Sequence, residues 1–153
     1  MPETTMKCFV MRGIGEVAVM DKPIPRPGPF DAVVRTTAAL ICTSDTHTVA
    51  GAIGDRKDLT LGHESVGVIH ELGEAVKAEG MFRVGQRVAV NAITPCYGGE
   101  NRRGGEAGEW GGMRGGWKFG NVKEWAKAEY CHVEDAIANL AAIPDGLSDE
   151  QAA

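Results

Sequence analysis

The sequence predicts a mainly β domain, either a barrel or a sandwich, from its length, its glycine content and its short β-prone runs. The 153 residues are the length of one ordinary domain. Short strands with frequent turns are typical of barrels and sandwiches. The 21 glycines are about twice the usual share, which favours turns over long helices. Apolar residues make up 43% and charged residues 24%, so disorder or a coiled coil does not describe the whole chain.

The first predicted elements are a hairpin, an extended connector, a strand and a helical turn. Residues 7–12 (KCFVMR) and 16–20 (EVAVM) are β-prone and are separated by a glycine-containing turn. Residues 31–42 (DAVVRTTAALIC) predict a long strand, with Ser44 or Asp45 as the N-cap of a helical turn after it. The connector between hairpin and strand is predicted from four prolines, which are Pro23, Pro25, Pro27 and Pro29.

Three further strands are predicted, at residues 65–72, 87–90 and 127–133. Gly67 is expected to interrupt the first of them. Ten of the 23 residues from 98 to 120 are glycine, which predicts a long loop. Ser148 and Gln151 have the spacing of a capping box, so a helix is expected to begin there. Because a single turn cannot offset its own nucleation cost, we expect the sequence to be a fragment of a longer chain.

Charge and cysteine usage exclude several function classes. The net charge of −5 opposes a surface that neutralises phosphates, so no nucleic-acid partner is expected. No run approaches the roughly 18 apolar residues of a membrane helix, and the N-terminal MPETTMKC lacks the apolar stretch of a secretory signal. The prediction is a cytoplasmic protein without a membrane partner. The four cysteines form no C-x-x-C pair, so neither a disulfide framework nor a four-thiolate zinc knuckle is indicated.

One glycine pattern matches a dinucleotide-binding fingerprint but lacks its context. Residues 13–18 (GIGEVA) fit G-x-G-x-x-A after a strand. The fingerprint must open a helix whose N-terminus holds the pyrophosphate, whereas here a β-prone run and the prolines follow. A hairpin turn is therefore the preferred interpretation.

A second constellation has the residue types of a catalytic zinc site. Its members are Cys42, Ser44, Asp45, His47, His63 and Glu64. Cysteine, histidine and carboxylate ligands hold catalytic zinc and leave one position open for water or substrate. At a strand end that leads into a helical turn, amide dipoles and the metal both favour the thiolate of Cys42. Asp45 is suited to orient a ligand histidine by accepting its distal N–H. Taken singly, Cys42 is more often a buried apolar residue and His63 a loop histidine.

The spacing around these residues resembles that of a known family. The run Gly62-His63-Glu64-x-x-Gly67-x5-Gly73-x-x-Val76 is similar to the zinc signature of the medium-chain alcohol dehydrogenases. The segment CTSDTH at residues 42–47 is similar to their first ligand segment. The runs CTSDTHTV, GAIGDRKDLTLGHE, AITP and GGWKFGN resemble the tetrameric, NADP-dependent secondary alcohol dehydrogenases. The resemblance covers nearly the whole chain.

The resemblance implies a mainly β fold, a GroES-like β-barrel with short helices. Residues 1–153 are then the zinc-binding catalytic domain, truncated before a Rossmann-type nucleotide-binding domain. The full-length protein is implied to interconvert small secondary alcohols and ketones with NADP(H) and to be a homo-tetramer, and the fragment alone is expected to be inactive. Two alternatives remain: a medium-chain dehydrogenase acting on polyols or aldehydes, and a non-catalytic GroES-like binding module.

The resemblance also assigns the catalytic roles. It implies one catalytic zinc held by Cys42, His63 and, as an intermittent ligand, Glu64. Such a zinc acts as a Lewis acid, so that the alkoxide can expel hydride to the nicotinamide. Ser44 is implied to hydrogen-bond the substrate hydroxyl, and His47 to pass the proton on to solvent.

Cofactor and substrate contacts follow from the same resemblance. Thr43 and Ser44 are implied to lie against the cofactor. Ile53, Ala92 and Trp117 are implied to line the substrate pocket, where the small Ala92 leaves room for the second alkyl group of a ketone. For Trp117, an anchor in the core under the glycine-rich loop is an equal alternative.

The chain departs from the family pattern at several places. A third firm ligand, an aspartate, is expected just beyond Ala153, so we expect weak or partial zinc binding by the chain alone. Better-known relatives hold a structural zinc with four cysteines in the lobe that corresponds to residues 97–117. Here only Cys96 is nearby, so no structural zinc is expected. One residue is missing near Ala50 and Gly51, which shortens the loop between the two ligand segments.

Overall fold

The computed structural model describes residues 4–93 and 126–153, and these ranges are mainly β. Four short helices accompany the strands. The strands are β1 (Thr5–Gly13), β2 (Glu16–Pro23), β3 (Ala32–Ala39), β4 (Leu59–Thr60), β5 (Ser65–Leu72), β6 (Arg87–Val90), β7 (Tyr130–Val133) and β8 (Leu140–Ala142). The helices are α1 (Thr43–Val49), α2 (Glu74–Glu79), α3 (Ala136–Asn139) and α4 (Asp149–Ala152). The predicted fold class is confirmed.

The described strands form two antiparallel sheets. One sheet has the order β2-β1-β4 and the other the order β7-β3-β5-β6-β8. The segment before β7 connects them, through a bridge between Cys8 and Ala128 and a 2.8 Å hydrogen bond from the Phe9 N–H to the Lys127 carbonyl. In the described residues, the GroES-like fold is thus two linked sheets rather than one closed hydrogen-bonded barrel.

The N-terminal hairpin is confirmed. β1 and β2 pair in antiparallel register up to Gly13 opposite Glu16, and Gly15 takes a φ of 75°, which favours glycine at this turn. Because β2 continues directly from this turn, the G-x-G-x-x-A pattern opens no helix and is not a dinucleotide fingerprint.

The long strand and its following helix differ from the prediction by a few residues. β3 ends at Ala39 and not at Cys42. Helix α1 begins at Thr43 with Cys42 as its N-cap, so the predicted caps Ser44 and Asp45 lie inside the first turn. The reason is reciprocal bonding: the Asp45 N–H donates to the Cys42 carbonyl at 3.0 Å, and the Cys42 N–H donates to the Asp45 carboxylate at 2.9 Å.

The bounds of β5 and β6 are as predicted, but the expected interruption at Gly67 is wrong. Gly67 lies within β5, where a Cβ atom would come 2.9 Å from the carbonyl carbon of Arg35. The β3–β5 register shifts between Thr36 and Ala38, opposite this glycine. Glycine is therefore needed for the close approach of two paired strands, and it does not end the strand.

The last predicted strand is shorter than expected. β7 begins at Tyr130, because Lys127 and Glu129 pair with the other sheet. The capping box at Ser148 is confirmed, with the Gln151 N–H donating to its hydroxyl at 3.3 Å. The loop predicted at residues 98–120 lies outside the described residues. Four described elements were not predicted, namely β4, β8, α2 and α3.

The main core lies on one face of the five-stranded sheet, where buried residues from its strands meet α2 and α3. Its members include Val34, Ile69, Val76, Val88, Val133 and Ala136. Cys131 belongs to this core, and its burial raises the pKa of its thiol to about 11. A neutral thiol in an apolar core is not a metal ligand. None of the helices in the described ranges has both the length and the apolar character needed to cross a membrane.

Candidate metal centre

The fold brings three of the predicted metal ligands together. Cys42 follows the end of β3, and His63 and Glu64 precede the start of β5. These strands are antiparallel neighbours whose last pair is Ala39 with Ser65, and the Leu40 N–H continues the pairing by donating to the Glu64 carbonyl at 3.0 Å. The end of one strand therefore lies beside the beginning of the other.

The donor atoms of Cys42, His63 and Glu64 all lie within 4.8 Å of one another, and all three residues are half-buried. We call these three residues the donor cluster. Zinc bonds of about 2.0–2.3 Å place tetrahedral donor atoms about 3.3–3.8 Å apart, so small side-chain movements suffice for coordination. One thiolate, one imidazole and one carboxylate are ligands that zinc accepts. The donor cluster therefore fits a zinc ion in both chemistry and spacing.

Asp45 links the two segments that bear the donor cluster. Its side chain is only 8% exposed. One carboxylate oxygen accepts the Cys42 N–H at 2.9 Å, and the other accepts the Gly62 N–H at 3.2 Å. Asp45 thereby fixes the backbone of Cys42 on one segment and the backbone next to His63 on the other. Its predicted role in orienting a ligand histidine stays a prediction.

Lys127 also contacts this site, and the sequence does not indicate it. Its ammonium forms an ion pair with Asp45, and its side chain is 11% exposed. The two residues are 82 positions apart, and Lys127 was expected to be an ordinary strand residue. No motif or periodicity in the sequence marks this pair.

The predicted catalytic residues lie on α1, beside the donor cluster. The Ser44 hydroxyl is 3.4 Å from Nε2 of His63, so it neighbours one candidate metal-binding atom. His47, one turn further along the helix, is exposed to solvent. Thr43, the first residue of α1, is exposed as well. Their roles toward substrate and cofactor stay predictions.

The structure describes two of the three predicted pocket residues, and these two have different surroundings. Ile53 packs against a small buried cluster of Met11, Leu59 and Leu61, so it has a packing role whatever else it contacts. Ala92 is half-buried just beyond the end of β6. Trp117 lies outside the described residues, so neither its pocket role nor its core alternative is addressed by the structure.

Known proteins are similar to this chain in both sequence and fold. Residues 28–145 match the family described as the alcohol dehydrogenase GroES-like domain. The chain belongs to this family. The chain is 50% identical over 151 residues to an NADP-dependent isopropanol dehydrogenase of Entamoeba histolytica, and the alignment covers 98% of this chain and 40% of that protein. It is 48% identical to the protein of the same name from Thermoanaerobacter brockii, covering 96% of this chain and 41% of the relative.

Solved structures agree with the GroES-like assignment. The zinc-dependent alcohol dehydrogenase 2 of Streptococcus pneumonia superposes with a TM-score of 0.83 at 29% identity, covering 96% of this chain and 41% of that one. The alcohol dehydrogenase of Thermus sp. ATN1 gives 0.79 at 32% identity, covering 95% and 42%. The chain thus spans about two fifths of the length of the relatives that it matches.

Proposed function

We propose that this chain is the zinc-binding catalytic domain of an NADP(H)-dependent dehydrogenase that interconverts small secondary alcohols and ketones. The observation that carries the proposal is the donor cluster, whose donor atoms lie within 4.8 Å of one another. The relatives at 50% and 48% identity, both NADP-dependent isopropanol dehydrogenases, support the proposed substrate class and cofactor.

The donor cluster would hold the zinc, with Glu64 as the intermittent ligand. When bound, zinc supplies a Lewis acid that lowers the pKa of a substrate hydroxyl. Ser44 is the residue proposed to bind that hydroxyl, because its own hydroxyl lies 3.4 Å from Nε2 of His63. A serine hydroxyl can accept a hydrogen bond from the substrate hydroxyl and can donate a hydrogen bond to a further acceptor.

The path by which the proton of the substrate hydroxyl reaches solvent is proposed to run along α1. Ser44 and His47 are three residues apart and therefore neighbours on one helix face. His47 is exposed, and an imidazole can both accept and donate a proton, so it can exchange the proton with water. Thr43 and Ser44 are proposed to lie against the nicotinamide cofactor. Both are at the beginning of α1, where Thr43 is exposed.

We propose one catalytic zinc and no structural zinc. Cys8 and Cys131 are buried in the cores of the described residues, and Cys42 belongs to the donor cluster. Only Cys96 is left of the four cysteines, which is too few for a four-thiolate site. Ile53, Ala92 and Trp117 are proposed as pocket walls. A homo-tetramer in the cytoplasm is proposed for the whole protein on the family resemblance.

A chimera tests the substrate class. This chain replaces the corresponding N-terminal residues of the Thermoanaerobacter brockii relative, and oxidation of propan-2-ol, ethanol and sorbitol is measured with NADP⁺. We expect propan-2-ol to give the highest kcat/KM. The Cys42→Ala variant should lose zinc and activity, whereas Cys131→Ala, a matched change at a core cysteine, should retain both. His47→Gln should lower kcat, because the amide of glutamine cannot accept and pass on the proton.

The two alternatives give different results in the same chimera. A preference for sorbitol or ethanol would contradict the secondary-alcohol proposal and favour a polyol or aldehyde dehydrogenase. A folded chimera that binds no zinc and oxidises none of the three alcohols would favour a non-catalytic binding module.

A further inference from the structure

We propose that Lys127 is a positioning residue for the metal centre. Its ammonium holds the Asp45 carboxylate against the backbone N–H groups of Cys42 and Gly62, and so fixes the relative position of the two donor-bearing segments. The link to zinc rests on the proposed function, whereas the link to the backbone can be tested in the metal-free chain.

Burial is the first support. The Lys127 and Asp45 side chains are 11% and 8% exposed, respectively. Lysine and aspartate are rarely buried to this extent unless they are paired. Breaking such a pair by removing one partner leaves a buried charge that is poorly compensated. The orientation of the Asp45 carboxylate therefore depends on Lys127.

The sharing of the carboxylate oxygens is the second support. The oxygen that pairs with Lys127 also accepts the Cys42 N–H, at 2.9 Å. The other oxygen accepts the Gly62 N–H, at 3.2 Å. Hydrogen bonds to an ionised carboxylate are stronger than neutral ones, so this arrangement stabilises both segments at once.

The backbone around Lys127 is the third support. Its N–H donates to the Leu61 carbonyl at 2.9 Å, and its carbonyl accepts the Phe9 N–H at 2.8 Å. Its stem lies against Gly62, where a Cβ atom would come 2.5 Å from the Lys127 Cγ. The lysine is thus held at both backbone groups and along its stem, which directs the ammonium to Asp45.

A purely electrostatic role for Lys127 predicts the opposite effect on zinc. With Cys42, Glu64 and Asp45 ionised, the surroundings of the metal carry three negative charges, and Lys127 offsets one of them. If charge alone mattered, removing the ammonium would strengthen the binding of a divalent cation. If positioning matters, removing it weakens binding. The sign of the change separates the two.

The test compares the 153-residue chain with its Lys127→Met variant, which keeps an unbranched apolar stem and removes the cation. Amide hydrogen exchange is measured without metal, and Zn²⁺ affinity is measured by competition with a chromophoric chelator. We expect exchange at the Cys42 and Gly62 amides to become roughly tenfold faster. We expect the Zn²⁺ Kd to rise by about 10- to 100-fold, the range for losing an outer-shell partner.

Two further variants act as controls. Lys77→Met removes an exposed ion pair with Glu74 on α2, and it should change neither readout. Asp45→Asn keeps the size of the side chain and should also speed exchange at the Cys42 and Gly62 amides. Should Lys127→Met not fold, Lys127→Gln takes its place with the same expected result. The double variant should lose no more Zn²⁺ affinity than the worse single variant, because both act through one arrangement.

Unchanged exchange at Cys42 and Gly62, or tighter Zn²⁺ binding by Lys127→Met, would overturn the positioning role. A folded chimera with the Thermoanaerobacter brockii relative that binds no Zn²⁺ would instead contradict the proposed function. In that case the amide exchange alone still decides whether Lys127 positions the two segments.

Discussion

Replacing Gly62 with alanine should destabilise the chain more than a glycine replacement elsewhere at a similar backbone angle. Gly62 has a φ of +94°, and an added Cβ would lie 2.5 Å from the Lys127 Cγ and 3.1 Å from its backbone nitrogen. Gly80 has a φ of +69° and no atom within 4 Å of its added Cβ. Both replacements carry the strain of a left-handed alanine, which is of order 1–3 kcal/mol. Only Gly62→Ala also displaces Lys127.

The size of the difference follows from what the displacement breaks. Moving the Lys127 stem weakens a buried, charge-assisted bond to Asp45, and hydrogen bonds to charged groups contribute about 1.5–3 kcal/mol. The free energy of unfolding should therefore fall by about 1.5–3 kcal/mol more in Gly62→Ala than in Gly80→Ala. For a chain of this length, that corresponds to a further fall in Tm of roughly 3–12 °C.

Urea unfolding followed by circular dichroism measures the two variants against the wild type. Equal destabilisation by Gly62→Ala and Gly80→Ala would refute the reasoning, since the steric contact with Lys127 would then have no energetic consequence. A second check is the double variant Gly62→Ala with Lys127→Ala. Removing the lysine stem relieves the contact, so the two changes should be less costly together than the sum of the two alone.

Two other predictions concern titration and thiol chemistry. Hydrogen bonds from Thr37 and then Arg87 hold the pKa of Asp149 below its usual value, so its stabilising contribution is present at neutral pH and is lost as pH falls below about 4. Asp149→Asn should accordingly be less stable than the wild type at pH 7, and the difference in urea midpoint should vanish in acid; a constant difference would contradict this. A thiol reagent at pH 8 should modify Cys42 before Cys131, whose pKa of about 11 keeps it protonated in the core, and Zn²⁺ should slow the reaction at Cys42. Peptide-resolved mass spectrometry measures both rates, and faster labelling of Cys131 would count against the described burial.

Local patterns in the sequence predict the hairpin, β5, β6 and the donor cluster. Alternating apolar residues and the turn at Gly15 suffice for the hairpin, because its contacts are close in sequence. The C-terminal capping box at Ser148 is local as well. The donor residues are identified by the resemblance of their segments to the zinc signature of a known family, and the pairing of β3 with β5 explains how they come together.

Long-range pairing accounts for most of what the sequence does not predict. β4 has two residues, and it exists because Leu59 and Thr60 pair with β1, not because of strand propensity. The local sequence predicts that Gly67 interrupts its strand, whereas the structure shows that β3 and β5 approach each other closely at this glycine. The Asp45–Lys127 pair joins segments 82 positions apart, and nothing local distinguishes this lysine from a solvated one.

X-ray absorption spectroscopy of the Zn²⁺-loaded chain tests the central claim, that Cys42, His63 and Glu64 form one zinc site. The account predicts a single sulfur neighbour at about 2.3 Å, with the remaining neighbours being nitrogen or oxygen at about 2.0–2.2 Å. The sulfur contribution should disappear in Cys42→Ser. A wild-type spectrum with no sulfur neighbour, with several, or with one that persists in Cys42→Ser would contradict the account.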